Sequence, residues 1–245
     1  MAKTTPRLHV ETKLSEGVAF ALPREQGHYL AHVLRLAAGD AVCVFNGEDG
    51  EWLSYITTVG KKAVEIRIEK KRADVQLPPD IDYVFAPLKH ARLDYMVQKA
   101  TELGARRLRP VITARTIAER VNLERMKLNA IEASEQCNLV FVPEVLEPLP
   151  LGKLLAQWDA GRALIYCDEA APLGSATTAL ASLTTPAAVL VGPEGGFTIE
   201  EREHLRRLPF VTPISLGPRI MRADTVAIAA LALVQAVLGD WRAAS

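Results

Sequence analysis

Two short stretches near the C-terminus combine glycine, proline and charge beyond what a plain connection needs: GPEGG at 192–196, after the apolar run AAVLV, and GPRIMRAD at 217–224, after TPISL. Glycine lets a backbone approach a ligand closely, and a helix that opens just after the turn offers unpaired N–H groups. A strand, a glycine turn and a helix start therefore form a site for an anion or a nucleotide. Residues 192–197 read GPEGGF, which lacks the GxGxxG of dinucleotide folds, and no GK[ST] of a P-loop is present. Thr198 and Glu201 form a capping box that accounts for the helix start. That cap does not account for Pro193, Glu194 and the two glycines after them. In the second turn Arg219 and Arg222 stand three apart, where arginines either pair on the surface or serve a pocket. Two such turns on neighbouring strands would lie together at the carboxyl edge of a parallel sheet, the place where open α/β folds bind ligands.

The elements around these turns follow from periodicity. From IDYVFAP onward, strands alternate with helices: ARLDYMVQKATELG, RLRPVI, NLERMKLNAIEASEQC, ALIYC, AAVLVG, TIEEREHLRRL, TPISLG and an alanine-rich helix from Asp224 to Leu238. This order predicts a mainly parallel sheet covered on both faces. Before it, VCVF, WLSYITTV and AVEIRIE read as short strands. REQGHYLAHVLRL reads as one helix with Tyr29, Val33 and Leu36 on a shared face. The prolines of DVQLPPD favour extended backbone. They divide the chain into a β-rich unit over 1–73, a linker over 74–80 and an α/β unit over 81–245.

Composition narrows the function classes. The chain has 245 residues, 49% of them hydrophobic, enough for a sizeable core. Its 29 basic and 29 acidic residues cancel, so overall charge indicates no polyanionic partner. Residues 86–127 nonetheless carry ten Lys or Arg against four acids, a candidate phosphate track. Cys43, Cys137 and Cys167 have neither disulfide-framework nor zinc spacing, which fits a reducing cytoplasm. His28 and His32 are four apart without a third ligand, so no metal is expected. Neither an apolar leader nor a run of eighteen apolar residues points to a membrane.

LVGPEGGFTIEE followed by SLGPRIMRADTVAIAAL resembles the paired signature of the RsmE family. These are SPOUT-superfamily enzymes that methylate N3 of a uridine in small-subunit (16S) ribosomal RNA with S-adenosylmethionine. HYLAHVLRLAAGD, VFNGEDGEW, LKHARLDYMVQKATELGARRLRPVIT and EASEQC extend the likeness over nearly the whole chain. The resemblance implies a PUA-like RNA-binding domain, then a SPOUT domain with a parallel sheet and a trefoil knot, assembled as a homodimer. It implies that S-adenosylmethionine is held by Leu190, Val191, Gly192, Pro193, Glu194, Gly195 and Gly196 of the first turn. Ser215, Leu216, Gly217, Ile220 and Met221 of the second turn would join them. The RNA would be met by Arg7, His32, Arg35, Asn46, Lys89 and Arg92. Arg219 or Arg222 would steady the negative charge that spreads onto uracil when N3 loses its proton, and Asp224 or Glu194 would receive that proton. Two departures stand out. Ala223-Asp224 replaces the usual Thr-Glu, and Asn138-Leu139 replaces Gly-Arg. A SPOUT enzyme for a different base, a non-catalytic RNA-binding protein and an enzyme using another nucleotide remain alternatives.

Overall fold

A computed structural model describes residues 5–60, 63–89, 91–117, 120–171, 174 and 176–242. The chain forms two compact units, one of residues 1–77 with 134–142, the other of 78–133 with 143–245. The expected linker is thus divided near residue 77, and the first unit takes in a segment far along the sequence.

The first unit is a five-stranded sheet. Its strands are β1 (Arg7–His9), β2 (Ala19–Ala21), β3 (Ala41–Phe45), β4 (Glu51–Val59) and β5 (Val64–Ala73), in the order β1-β3-β4-β5-β2. β5 carries the expected alternation, burying Val64, Ile66 and Ile68 while Glu65, Arg67 and Glu69 face out. The predicted single helix is instead α1 (Arg24–His28) followed by a π-helical turn over Tyr29–Val33. Leu34 N–H bonds to the Tyr29 carbonyl, which widens the turn. Leu30 is buried and Leu36 packs half-buried against the core, while Tyr29 and Val33 are exposed, so the three residues read as one face do not share one environment.

Arg7 explains why 134–142 belongs here. Its Nη1 donates to the carbonyls of Ser134 and Glu135 at 2.8 and 2.9 Å and its Nη2 to that of Leu139 at 2.9 Å. Its Nε donates to Glu51 at 2.6 Å, and the guanidinium lies 4.8 Å from the centre of the Phe45 ring. A cation thus caps the carboxyl end of a helix, where unpaired carbonyls gather. Asn138 adopts φ +58, the left-handed conformation that ends a helix and that Asn tolerates better than other non-glycine residues. The Asn138 departure is therefore met by the backbone.

The second unit holds β6 (Ile81–Phe85), α2 (Ala91–Glu102), β7 (Arg107–Ile112), α3 (Leu123–Gln136, whose end counts with the first unit), β8 (Glu144–Val145), β9 (Leu149–Pro150) and α4 (Leu151–Ala156). It continues with β10 (Ala163–Cys167), α5 (Ala176–Ala181), β11 (Ala187–Val191), α6 (Ile199–Arg207), β12 (Val211–Ile214) and α7 (Ala223–Val237). The sheet order is β12-β10-β11-β6-β7-β8, every pairing is parallel, and β9 pairs with β7. β11 sits between β10 and β6 and is buried along its whole length, as the unbroken run AAVLV predicts.

At the amino edge of this sheet two aspartates gather arginines. The Asp82 side chain is 0% exposed and accepts from Arg107 Nε at 2.7 Å and Arg109 Nε at 2.6 Å. Asp80 accepts from Arg162 at 2.9 Å and from Arg107. Burial alone would raise the Asp80 carboxyl; the Arg162 hydrogen bond and the charges of Arg162, Arg107 and Arg106 outweigh it and hold the group below its ordinary value. Removing a buried acid from such a cluster strands its cations. Asp82→Ala should lower unfolding stability by about 3–5 kcal/mol in urea denaturation, whereas Glu124→Ala, at an exposed i,i+3 pair with Lys127, should change it by less than about 1 kcal/mol.

Candidate active site

The first glycine turn is held from several directions. Gly196 N–H bonds to the Pro193 carbonyl at 2.9 Å, and Gly196 has φ +67, a conformation that favours glycine. Thr198 and Glu201 form the expected capping box at the start of α6. Glu201 has a further use, since its Oε1 accepts from Ala114 N–H at 2.8 Å, and the neighbouring Arg115 Nη1 donates to the Gly195 carbonyl at 2.7 Å. The loop after β7 thus pins the turn. The glycines differ in purpose. A Cβ on Gly192 would come within 2.5 Å of the Phe197 ring, so this glycine makes room for Phe197, which packs edge-on against Tyr166 at 5.2 Å. A Cβ on Gly195 would meet Arg115 only at an ordinary 3.5 Å.

The second turn follows β12. Gly217 has φ +112 and nothing within 4 Å of a would-be Cβ, so it is backbone conformation that calls for glycine there. Arg219 and Ile220 are exposed, Ile220 at 89%, and α7 begins immediately after Arg222.

The two turns are not on neighbouring strands, contrary to expectation: β10 lies between β11 and β12. Its carboxyl end supplies a third wall that the sequence reading missed. One cleft of about 670 Å³ is lined by Tyr166–Glu169 at the end of β10, by Val191–Phe197 at the end of β11 and in the first turn, and by Ile214–Ala223 at the end of β12 and in the second, with Arg92, Ala171, Arg202 and Val226. Its volume suits a nucleoside-sized ligand. Asp168, with a side chain 0% exposed, accepts from Arg206 Nε at 2.9 Å and from Arg206 Nη2 at 2.5 Å. Burial pushes the Cys167 thiol up to about 12 and raises the Tyr166 phenol, so both stay protonated at neutral pH. The signal for this wall was available as two acids directly after the strand ALIYC and two arginines four apart on α6.

Most residues expected at the cofactor site line this cleft. Leu190 does not; it is buried in the core beside Tyr166 and Phe197. Arg219, Arg222 and Glu194 line it, while Asp224, between the lining residues Ala223 and Val226, does not and accepts from Thr225 N–H at 2.9 Å. Arg92 also lines it, with Nη1 3.5 Å from Glu194 Oε1, and Lys89 is exposed.

The residues expected to meet RNA in the first unit divide differently. The Arg7 side chain is 9% exposed and fully engaged, so it is a structural cation rather than a phosphate contact. Asn46 is likewise occupied in its own loop, donating to Thr12 and Asp49 and accepting from the Glu48 and Asp49 N–H groups. His32 and Arg35 are exposed; the His32 ring lies 4.8 Å from His28, and Arg35 has φ +56. Among the described residues no group of three His, Cys, Asp or Glu could hold a metal.

Residues 75–235 match the family model of an RNA methyltransferase domain, and 22–69 match that of an RNA methyltransferase PUA domain. The ribosomal RNA small subunit methyltransferase E of Rickettsia conorii is 30% identical over 94% of both chains. That of Bacillus subtilis is 29% identical over 91% of both. The crystal structure of ribosomal RNA small subunit methyltransferase E from Neisseria gonorrhoeae, bound to S-adenosylmethionine, is 27% identical. It matches at a TM-score of 0.85 over 98% of this chain and 100% of that one.

The different purposes of two glycines give a test. Gly192→Val should displace Phe197 and cost about 1–3 kcal/mol of stability by overpacking. Gly195→Val should keep the wild-type melting temperature and lose S-adenosylmethionine binding in calorimetry. Equal melting temperatures for the two variants, or unchanged affinity in Gly195→Val, would contradict this division.

Proposed function

The chain belongs to the RsmE family of ribosomal RNA small subunit methyltransferases, and from that membership we propose that it methylates N3 of a uridine in small-subunit ribosomal RNA, using S-adenosylmethionine. The observation that carries the reading is the convergence of both glycine turns on one cleft, with two exposed arginines, Arg219 and Arg222, among its lining. When bound, S-adenosylmethionine supplies a methyl group made electrophilic by its sulfonium. Little covalent work remains for the protein, so placement and charge matter most. The main chain of 191–196 and 215–221 holds the cofactor, with Gly195 and Gly217 letting the backbone come close.

Uridine N3 becomes a good nucleophile only when it loses its proton, and the negative charge then spreads onto the uracil oxygens. Neither Arg219 nor Arg222 has an ion-pair partner among the described residues, which leaves each able to meet that charge. Arg222 is the better placed, fixed at the start of α7, whereas Arg219 sits in the exposed turn. Of the two acids, Glu194 lines the cleft and Asp224 does not, which favours Glu194 as proton acceptor. Arg92 beside it and the exposed Lys89 hold RNA phosphates, with His32 and Arg35 contributing from the first unit.

The trefoil threading of the second unit and assembly as a homodimer are part of the same reading. α7 supports the dimer: besides its buried Ala227, Ala230, Leu231 and Val234 it leaves Ile228, Ala232 and Leu233 only half-buried. No described helix is long and apolar enough to cross a membrane; from the proposed action on the ribosomal subunit we infer a cytoplasmic location.

Three measurements test this reading. Purified protein with labelled cofactor and small-subunit RNA should yield a methyl group mapped to N3 of one uridine; a mark on any other atom overturns the base assignment. Arg222→Ala should lower the single-turnover rate at saturating RNA about 100-fold, whereas Lys89→Ala and Arg92→Ala should weaken RNA binding and flatten its salt dependence. An Arg222→Ala variant that loses only affinity would remove Arg222 from the chemistry. Light scattering should give twice the 26.7 kDa chain mass; a monomer at every working concentration would exclude the dimer.

A further inference from the structure

Among the described residues with large apolar side chains in solvent, Ile220 stands furthest out, at 89% exposed against 70% for the next, Ile199. Isoleucine is ordinarily a core residue, yet a single exposed one requires no explanation by itself. The neighbours of Ile220 give it a context. It lies between Arg219 and Arg222, both exposed and without an ion-pair partner among the described residues, and it lines the cleft with them. A side chain that borders a cleft and is still almost wholly solvated stands at its mouth, not on its floor. Residues 218–221 make no main-chain hydrogen bond among the described residues, so the backbone of the tip does nothing to tuck this side chain in. Its apolar surface is left for something that arrives from outside.

N3 lies on the pairing edge of uracil. In a paired uridine its proton is already donated to the opposite base, and in a stacked strand the ring is not free to enter a cleft. An enzyme that works on such an atom must take the base out of the stack, at a cost in unstacking. An aliphatic side chain inserted into the gap offsets part of that cost. We propose that Ile220 is this wedge: it fills the gap that the target uridine leaves, while the flanking arginines meet the anionic strand and the uracil oxygens. The inference rests on the proposed uridine methylation and adds which form of RNA the site accepts, a strand whose target base must part from its neighbours. Isoleucine suits the task, because its branched chain presents apolar surface to both sides and forms no hydrogen bond that would select one neighbouring base. The main chain of the same turn stays available for the cofactor.

Single-turnover methylation by the full chain, at saturating cofactor and RNA, tests the wedge on small-subunit RNA annealed to either of two oligonucleotides. One pairs the mapped uridine with adenine; the other leaves a gap across the uridine and its neighbours. Ile220→Ala should lower the rate on the paired RNA about tenfold more than on the gapped RNA. Ile220→Leu, which keeps the apolar volume, should restore most of that ratio. A defect in cofactor binding or in subunit assembly cannot imitate the result, because it lowers both rates by the same factor. Equal factors on the two RNAs, large or small, overturn the proposal. So does a wild-type chain that methylates free small-subunit RNA but acts on the gapped hybrid alone or on neither hybrid, since no opening is then left for Ile220 to assist. If free small-subunit RNA receives no methyl group on uridine N3, the proposed reaction itself falls and the wedge falls with it.

Discussion

The position of β11 constrains everything around the cleft. Buried throughout and paired on both sides, it can satisfy its backbone only inside the sheet, between β10 and β6, and its chain must leave at the carboxyl edge. The GPEGG turn is where that exit happens, and the pinning of its carbonyl by Arg115 and of the α6 cap by Ala114 keeps it from relaxing. Because β10 then separates β11 from β12, the two glycine turns face each other across the end of β10. A cleft between them, floored by Tyr166–Glu169, is the geometric result.

Charge is distributed to suit. At the amino edge of the sheet Asp80 and Asp82 hold four arginines, Arg106, Arg107, Arg109 and Arg162, in a mutually paired cluster, which fixes structure and offers little to a ligand. At the carboxyl edge, Arg219 and Arg222 are exposed and have no ion-pair partner among the described residues. Paired charge stabilises geometry, while unpaired charge beside a cleft is available for chemistry.

Arg7 shows how one side chain can tie distant sequence into one unit. It joins β1 to the carbonyls that end α3 and to Leu139, more than 120 residues later, and Asn138 supplies the left-handed turn that presents those carbonyls. A basic residue near the N-terminus reads as a phosphate contact until its partners are seen. Only 9% exposure and four hydrogen bonds reassign it.

By itself the sequence determined the alternation of strands and helices from residue 81, the capping box of α6, the buried character of AAVLV and the two turns that mark the family, because each depends on periodicity or on turn chemistry within about ten residues. The strand order, the third wall of the cleft, the structural use of Arg7 and Asn46, the departure of Leu190 from the site and the π-helical turn at Tyr29–Val33 were decided by tertiary structure. In each of these, the deciding partner lies on another strand, in another loop or across a packed face. Local pattern carries no information about which distant group will arrive there, and burial with hydrogen-bond competition then settles what each side chain does.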